Sequence, residues 1–395
     1  MKEIKKIYAV HFLAGLSTAA SVTFTLYFLS HGINQAQIGL LFAVFMISLA
    51  ILDIPTGGLS DIFGHKHSVA AGLFFQSLSF LLFFFFPNYP GFFLGMLAAA
   101  LGLALQSGAT SSLIYELLHK EGLHESFQKV FGRASAYFLL AGIIAGPLGS
   151  FIYKYYPRIP YLLAFIVLLV ASMVVLLVRW EFTKKQPAFS AYMNTIVTGI
   201  HMTIRNRILI ATVIIGIALT TTRLVFNQNI SQPYQIQIGI DVAYIGIVAA
   251  LVAGAGAFVS MHAYKLSQRI GKGLSLILML VVPSVTIILL SLINTLLAVP
   301  LILLFYMGHA FRDPVMAHIS QDEVERDKRA TMASTVSFLV SISAGLLLPY
   351  FGGRIDMFGI NNTLVLLGIF SLVVGGIGLL LFGYKHSSIR RFKAS

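Results

Sequence analysis

Residues 38–52 read IGLLFAVFMISLAIL, fifteen positions without a single charge. Comparable apolar runs occupy Phe74 to Phe86 and Leu162 to Leu177. A helix that crosses a bilayer needs about 20 mostly apolar residues. Over the 395 residues, 57% are hydrophobic and only 10% are charged, whereas soluble domains carry about one quarter charged residues. The sequence therefore predicts an all-α integral membrane protein, with the lipid bilayer as its solvent.

The apolar runs divide into two groups of six around a polar middle segment. That segment is the longest polar connection of the chain and contains Lys184, Lys185 and Pro187. We predict an N-terminal six-helix bundle over residues 1–180, a cytoplasmic linker over 181–206 and a C-terminal six-helix bundle over 207–395. The twelve predicted transmembrane helices are 7–30, 36–60, 68–86, 91–118, 129–154, 159–180, 207–232, 241–265, 272–293, 296–320, 329–355 and 361–384.

The distribution of positive charge predicts the orientation of these spans. Of the 27 Lys and Arg residues, 22 fall in segments on the side of both termini and three fall on the other side. Cytoplasmic segments are enriched in Lys and Arg, so both termini are predicted to be cytoplasmic, in a multi-pass protein of the cell membrane. The net charge of +13 is thus explained by topology and not by binding to nucleic acid.

The two groups of spans also repeat short sequences at equivalent positions. Residues 59–65 after the second span read LSDIFGH, and residues 266–272 after the eighth read LSQRIGK. A second echo pairs Arg133-Ala134-Ser135 with Arg329-Ala330-Thr331. Repeated halves with a binding site between them are what alternating access requires, so the repeats predict two pseudo-symmetric bundles.

The first of these loops carries a family signature. Residues 57–66 read GGLSDIFGHK, which resembles the G-x-L-x-D-R-x-G-R-K loop of the major facilitator superfamily of secondary transporters. The residues that match are Gly57, Leu59, Asp61, Gly64 and Lys66, with Ile62 and His65 in place of the two arginines. The resemblance extends over the whole chain and implies the major facilitator fold. It also implies that Asp61, His65 and Lys66 form a gate that holds one access state closed, in which neutral histidine is weaker than arginine.

Two further segments resemble a subgroup with tetracycline- and multidrug-exporter-like members. Residues 52–57, LDIPTG, are similar to its E-I-P-T-G segment, with Asp53 where Glu is usual. On a helix, Asp53 lies about 12 Å deeper than Asp61, and a carboxyl at that depth is a functional candidate. In the fourth span, Ser107-Gly108 followed by Glu116 resembles an S-G…Y-D segment. We interpret Asp53 and Glu116 as proton-coupling candidates, with Glu116 also joining the gate.

The fifth span carries a pattern of small residues. Its Gly142, Gly146, Pro147 and Gly149 are close to the G-x-x-x-G-P-x-x-G-G pattern of exporters in the same superfamily. Small residues four apart allow close helix contact, and a proline inside a helix favours a kink. These residues are interpreted as a helix-packing motif, and the resemblance favours export over import.

Helical spacing identifies polar faces in other spans. Thr220, Arg223 and Asn227 share one face of the seventh span, and Tyr306, His309 and Asp313 share one face of the tenth. In the family that the chain resembles, the first, fourth, seventh and tenth spans line the central cavity. The substrate-cavity candidates are His11, Thr18, Thr25, Gln106, Thr110, Arg223, Asn227, His309, Arg312 and Asp313. An ion pair between Arg223 and Asp313 that only fixes packing is the alternative.

These observations favour a secondary active transporter that exports a hydrophobic or cationic small molecule, as multidrug antiporters do, by proton-coupled alternating access. No phosphate-binding loop, HExxH metal motif or GxSxG elbow occurs in the sequence, and there is no cysteine, so we predict neither an enzyme, a cofactor nor a metal site. The expected partners are the small-molecule substrate, protons and the bilayer, with no nucleic acid and a monomeric state. Proton-coupled uptake of a sugar or organic anion and a transport-inactive membrane sensor remain the alternatives.

Overall fold

The computed structural model of the protein describes residues 2–180, 199–322 and 329–392, and every regular element in these ranges is helical. Side chains are described except for Ile54, Asp313, Pro314 and those from 317 to 331 and from 383 onward. The helices before the middle segment are α1 Lys2–Leu16, α2 Thr18–Ser21, α3 Phe24–Ser30, α4 Gln35–Phe63, α5 His65–Phe85, α6 Tyr89–Gln106, α7 Ala109–Lys120, α8 Phe127–Tyr155 and α9 Ile159–Leu176. Those after it are α10 Arg207–Val225, α11 Ser231–Gln237, α12 Ile245–Ile270, α13 Lys272–Leu290, α14 Ala298–Asp322 and α15 Arg329–Phe392.

The described helices account for the predicted spans. In these ranges, nine helical segments are long and apolar enough to cross a membrane, and α1 to α3 form a tenth span that bends by 42°. One of the nine, Met332–Phe382, contains 51 residues, far more than the about 20 that one crossing needs. Gly359, at φ 78°, breaks it into two. With the shorter apolar helix Ala298–Arg312, the twelve-span prediction is met, and the all-α membrane fold is confirmed.

Several spans are interrupted where polar or small residues occur. The fourth span breaks between α6 and α7 at Gly108. Its φ of +72° is an angle that residues with a β-carbon rarely adopt. The seventh span contains a π-helical turn, Phe226–Ile230, between α10 and α11. Such π-turns are rare and concentrate at functional sites, and this one contains Asn227.

The sequence echo between the halves is also a structural one. Gly64 separates α4 from α5 with φ +90°, and Gly271 separates α12 from α13 with φ +83°. In both loops the next residue starts a helix, His65 in the first half and Lys272 in the second. Because left-handed backbone favours glycine, the repeated glycine makes the same sharp helix-to-helix turn twice.

The chain forms two compact units. The first contains residues 1–33, 44–190 and 241–250. Its apolar core joins α1, α5, α7 and α9 through residues such as Ile7, Leu73 and Leu113. The residues before α12 pack on α8, where Lys154 Nζ donates to Asp241 Oδ2 at 2.7 Å and Ser150 Oγ donates to the Ala243 carbonyl at 2.8 Å.

The second compact unit contains residues 34–43, 191–240 and 251–395. Its core includes Leu219, Met279 and Phe311. The start of α4 belongs to this unit, and the carboxylate of Asp356 accepts hydrogen bonds from the backbone N–H groups of Gln35 and Ala36 at 3.0 and 2.8 Å. Both units therefore include a short segment from the other half of the sequence. The bundle boundaries at 180 and 207 stay a prediction.

The glycines of the fifth span differ in how closely they pack. A β-carbon at Gly149 would overlap the backbone carbonyl of Ala19 in α2, and one at Gly246 would overlap the carbonyl of Gly146. At Gly142, by contrast, a β-carbon would lie 3.3 Å from the hydroxyl of Thr18. Helix α8 also contains Pro147. The motif thus contains one position, Gly149, where only glycine fits against a neighbouring backbone.

Candidate functional site

The first group of candidate residues lies where α5, α7 and the end of α9 meet. His65 starts α5 directly after Gly64, and its Nε2 lies 3.3 Å from Oε1 of Glu116 in α7. The second carboxylate oxygen of Glu116 accepts a hydrogen bond from Nε1 of Trp180 at 2.6 Å. His65 is buried, whereas the Glu116 side chain is 33% exposed. We call His65, Glu116 and Trp180 the gate cluster.

A cavity of about 580 Å³ opens beside the gate cluster. The three members of the cluster line this cavity together with the aromatic rings of Tyr115 and Phe127. The polar residues of the wall include Ser111, Ser112, His119 and Lys120. Glu116 is therefore reached by solvent, while the Nδ1 atom of His65 is buried without a hydrogen-bond partner among the described residues. The carboxylate of Glu116 therefore faces the cavity.

The other residues of the loop signature lie near the gate cluster in sequence but outside its contacts. Asp61 and Lys66 are half-buried, Leu59 is exposed, and Gly57 lies in the last part of α4. Among the described ion pairs, none joins Asp61 or Lys66 to Glu116. The structure thus brings together two of the predicted gate residues, His65 and Glu116, and adds Trp180 to them.

Asp53 lies on the same continuous helix as Asp61, two turns further from the loop. Its side chain is exposed, whereas Thr56, one turn later, is buried and donates to the Ala104 carbonyl of α6 at 2.9 Å. Thr56 thus marks the face of α4 that packs on α6, and Asp53, one turn earlier, is an exposed residue beside that face. An ionisable group in a span generally faces a water-filled cavity or the bundle interior.

The second group of candidates lies within the second compact unit, where α10 and the π-turn face α14. Arg312 Nη1 donates to Thr220 Oγ1 at 2.8 Å, and Tyr306 donates its hydroxyl proton to Asn227 Oδ1 at 2.8 Å. The predicted polar face of the seventh span therefore contacts the predicted polar face of the tenth. We call this set, completed by Arg223 and His309, the arginine cluster: Thr220, Arg223, Asn227, Tyr306, His309 and Arg312.

His309 is the most buried polar group of the arginine cluster. It is 4% exposed, and neither ring nitrogen has a hydrogen-bond partner among the described residues. Phe305 contacts the ring edge-on, with centroids 4.6 Å apart. Arg223 and Arg312 both interact electrostatically with it. A buried polar group without a partner is costly, so His309 has unused hydrogen-bonding capacity beside two positive charges. The side chain of Asp313, the predicted partner of Arg223, lies outside the described side chains.

Four of the cavity candidates of the first half contact backbone carbonyls three or four residues earlier in the same span. Nδ1 of His11 lies 2.9 Å from the Ile7 carbonyl, and Thr18 donates to the Gly15 carbonyl at 2.7 Å. Gln106 and Thr110 likewise donate to carbonyls one turn earlier. Thr25 is buried.

Sequence reasoning missed two contributors. Trp180 is the last residue of the predicted sixth span, 159–180, and no motif or spacing assigns it a role. Asp356 was not singled out, since its partners are backbone groups 320 residues earlier in the chain. The only signal for the first was that Trp180 is the single tryptophan of the sequence; the second had none.

The fold and these two sites define a multi-pass helical membrane protein with polar clusters inside its units. The family model described as Major Facilitator Superfamily matches residues 7–348, and the chain belongs to this family. An uncharacterized MFS-type transporter of Methanocaldococcus jannaschii, MJ1560, is 24% identical, with 96% of this chain and 99% of that protein aligned. The uncharacterized MFS-type transporter YxaM of Bacillus subtilis is 27% identical over 41% of this chain and 40% of its own length.

Solved structures share the fold at low sequence identity. The nucleoside transporter NupG superposes with a TM-score of 0.82 at 12% identity, covering 97% of this chain and 99% of NupG. A bacterial homolog of the human lysosomal transporter Spinster gives 0.77 at 13% identity, with 96% of both chains covered. The predicted family and fold are confirmed. The protein is a membrane transporter of small molecules and not an enzyme.

Proposed function

We propose that the protein exports an amphiphilic small molecule with an acidic group, that the arginine cluster binds this group, and that export is driven by a proton gradient. This keeps the predicted proton-coupled export and changes the predicted charge of the substrate. The observation that carries the proposal is the pair of guanidinium groups, Arg223 and Arg312, on facing helices of one unit, each in electrostatic range of His309.

The energetic argument concerns arginine inside a membrane span. Placing one arginine at the centre of a span costs about 2.5–3.5 kcal/mol on insertion scales, and α10 and α14 each carry one. Thr220 Oγ1 accepts a hydrogen bond from the Arg312 guanidinium at 2.8 Å, which fixes the orientation of its plane. A planar guanidinium matches a carboxylate or phosphate with two parallel hydrogen bonds.

Asp53 is the proposed coupling group. Its exposure on a spanning helix supports contact with water inside the protein, where a carboxyl can alternate between its protonated and ionised forms. Protonation of Asp53 from the outer side and release on the inner side would drive the cycle. The exporter-like glycine motif of α8 supports the outward direction, and the contact of His65 with Glu116 supports a gate at the C-terminal end of α4.

The test is transport by the full chain in proteoliposomes under an imposed pH gradient. Two fluorescent dyes of similar size are compared, a lipophilic carboxylate and a lipophilic quaternary ammonium. Gradient-driven movement of the carboxylate dye, reduced by Arg312→Gln and Arg223→Gln but not by Arg158→Gln, is the expected result. Arg158 is the matched control because it is exposed in the loop before α9. Movement of the carboxylate dye unaffected by Arg312→Gln would refute the role of the cluster.

Two other outcomes separate the remaining possibilities. Movement of only the ammonium dye, abolished by Asp53→Asn, would replace this proposal with the cation exporter predicted from sequence. Gradient-driven uptake of organic anions or sugars in the opposite direction would replace export with import. Binding without any transport would identify a sensor on the same scaffold.

A further inference from the structure

Trp180 occupies an unexpected position beside the gate cluster's carboxylate. It follows the end of α9 by four residues and is half-buried. Its indole N–H donates to Oε2 of Glu116 at 2.6 Å, a short distance typical of hydrogen bonds to a charged acceptor. The ring also contacts the imidazole of His67 edge-on at 6.2 Å. The single tryptophan of the chain is therefore bonded to a gate residue.

The two oxygens of Glu116 have different partners. Oε2 faces Trp180, and Oε1 faces Nε2 of His65 at 3.3 Å. A glutamate at 33% exposure is mobile unless its carboxylate is held, since its side chain has three rotatable bonds. Because the carboxylate is planar, fixing Oε2 also fixes the direction in which Oε1 points. The indole therefore orients the oxygen that contacts His65.

The backbone that carries Trp180 is itself held by the first turn of α1. The N–H of Arg179 donates to Glu3 Oε2 at 2.8 Å, and Lys6 Nζ donates to the Leu177 carbonyl at 2.7 Å. Lys6 and Glu3 also pair at 2.9 Å. The last carbonyls of a helix lack partners within it, and Lys6 supplies one after α9. Glu3 and Lys6 therefore fix the direction of the backbone that leads to Trp180. In the sequence, the N-terminal lysines indicated only which side of the membrane the terminus lies on.

We infer that Trp180 is a positioning residue of the gate: its indole N–H holds Glu116 against His65, and Glu3 and Lys6 hold the chain so that the indole reaches Glu116. This inference rests on the proposed gate. It adds that residues of α1 and of the segment after α9 also hold the gate in position, together with the loop signature. Loosening either contact leaves the substrate site intact and changes how often Glu116 and His65 meet.

The direct test uses the fluorescence of Trp180 in the full chain in lipid nanodiscs. No other indole contributes, so emission and acrylamide quenching report on this bond. All variants carry His67→Phe, which removes the titratable ring beside the indole. Glu116→Ala removes a hydrogen bond to a charged group, which should raise the population of released indole by about tenfold. Quencher access should therefore rise toward that of an exposed indole. Glu116→Gln keeps an acceptor and should give a smaller change, while Glu125→Gln, an exposed neighbour, should give none.

Glu3→Gln and Lys6→Met test the contacts of α1 with the backbone at Arg179 and Leu177. Each should raise quencher access, but by less than Glu116→Ala does. Unchanged emission and quenching in Glu116→Ala would overturn the inference. If Glu116→Ala fails to fold, Glu116→Gln and Glu3→Gln still decide it. This arm needs no substrate, so it separates failure of the inference from failure of the proposed function.

The second test is the transport assay described above, with Trp180→Phe. Phenylalanine keeps the aromatic ring and removes the donor. Maximal rate should fall by about tenfold with little change in KM, because the substrate site lies on α10 and α14 and the altered bond does not touch it. The double variant with Glu116→Gln should be no slower than Glu116→Gln alone, because Trp180 acts through Glu116. Additive losses, or a change in KM alone, would refute the positioning role.

Discussion

Gly149 offers the sharpest test of the packing in the first unit. An added β-carbon at this position would overlap the carbonyl oxygen of Ala19 and lie 2.6 Å from that residue's carbonyl carbon and Cα. Backbone cannot rotate away as a side chain can, and overpacking of this kind costs about 1–3 kcal/mol. Replacing glycine by alanine inside a helix gains about 0.5–1 kcal/mol. Gly149→Ala should therefore be less stable than the native protein, by about 1 kcal/mol at the middle of these ranges and about 2.5 kcal/mol at most.

Gly142→Ala is the matched control in the same helix. Its β-carbon would lie 3.3 Å from Oγ1 and 3.9 Å from Cγ2 of Thr18, atoms of a side chain that can shift. The alanine gain then outweighs the contact, so this variant should be as stable as the native protein or slightly more stable. The assay is thermal unfolding in one detergent, where about 1 kcal/mol corresponds to a difference of a few degrees. Equal midpoints for the two variants would refute the argument from backbone overlap.

Three further predictions concern single polar contacts. Asp356→Ala should destabilise the protein by about 1 kcal/mol, as loss of a helix N-cap does, and Asp356→Asn by less, because its amide oxygen still accepts from the start of α4; equal thermal midpoints for both would contradict this. The hydrogen bond with Lys154 lowers the pKa of Asp241 below its ordinary value of 3.8. The ion pair therefore contributes to folding stability above pH 3.8, and this contribution is lost as the pH falls through the lowered pKa. The difference in stability between the native protein and Asp241→Asn should thus be constant from pH 8 to pH 5 and shrink only below about pH 4. If this difference already shrinks near pH 6, the ion pair of Lys154 and Asp241 is not its source. Thr220→Val should raise the KM for the carboxylate dye and Thr220→Ser should restore it, because only a hydroxyl accepts from Arg312; an unchanged KM in Thr220→Val would argue against orientation by this bond.

Much of the fold follows from local sequence, because the bilayer enforces local rules. Each span must satisfy its own backbone hydrogen bonds, so apolar length alone predicted the helices, and their bounds differ from the predicted ones by a few residues. The glycines at 64 and 271 could be recognised as equivalent because a left-handed turn needs glycine wherever it recurs. The polar faces of α10 and α14 were likewise visible as a helical period.

Contacts between distant segments were beyond the reach of the sequence. Spacing placed Thr220 and Asn227 on one helix face, but only helix packing decided that they bond to Arg312 and Tyr306. Resemblance grouped Glu116 with Asp61, His65 and Lys66, whereas the structure pairs it with His65 and Trp180.

The sequence by itself determined the membrane, the helices, the family and the repeated loops, since these depend on composition and on neighbours within one or two helical turns. Tertiary structure alone decided the partner of each polar side chain. The carboxylate of Glu116 and the guanidinium of Arg312 each reach only groups within about 3 Å. Which groups lie there depends on how helices separated by tens of residues pack, and no local pattern encodes that distance.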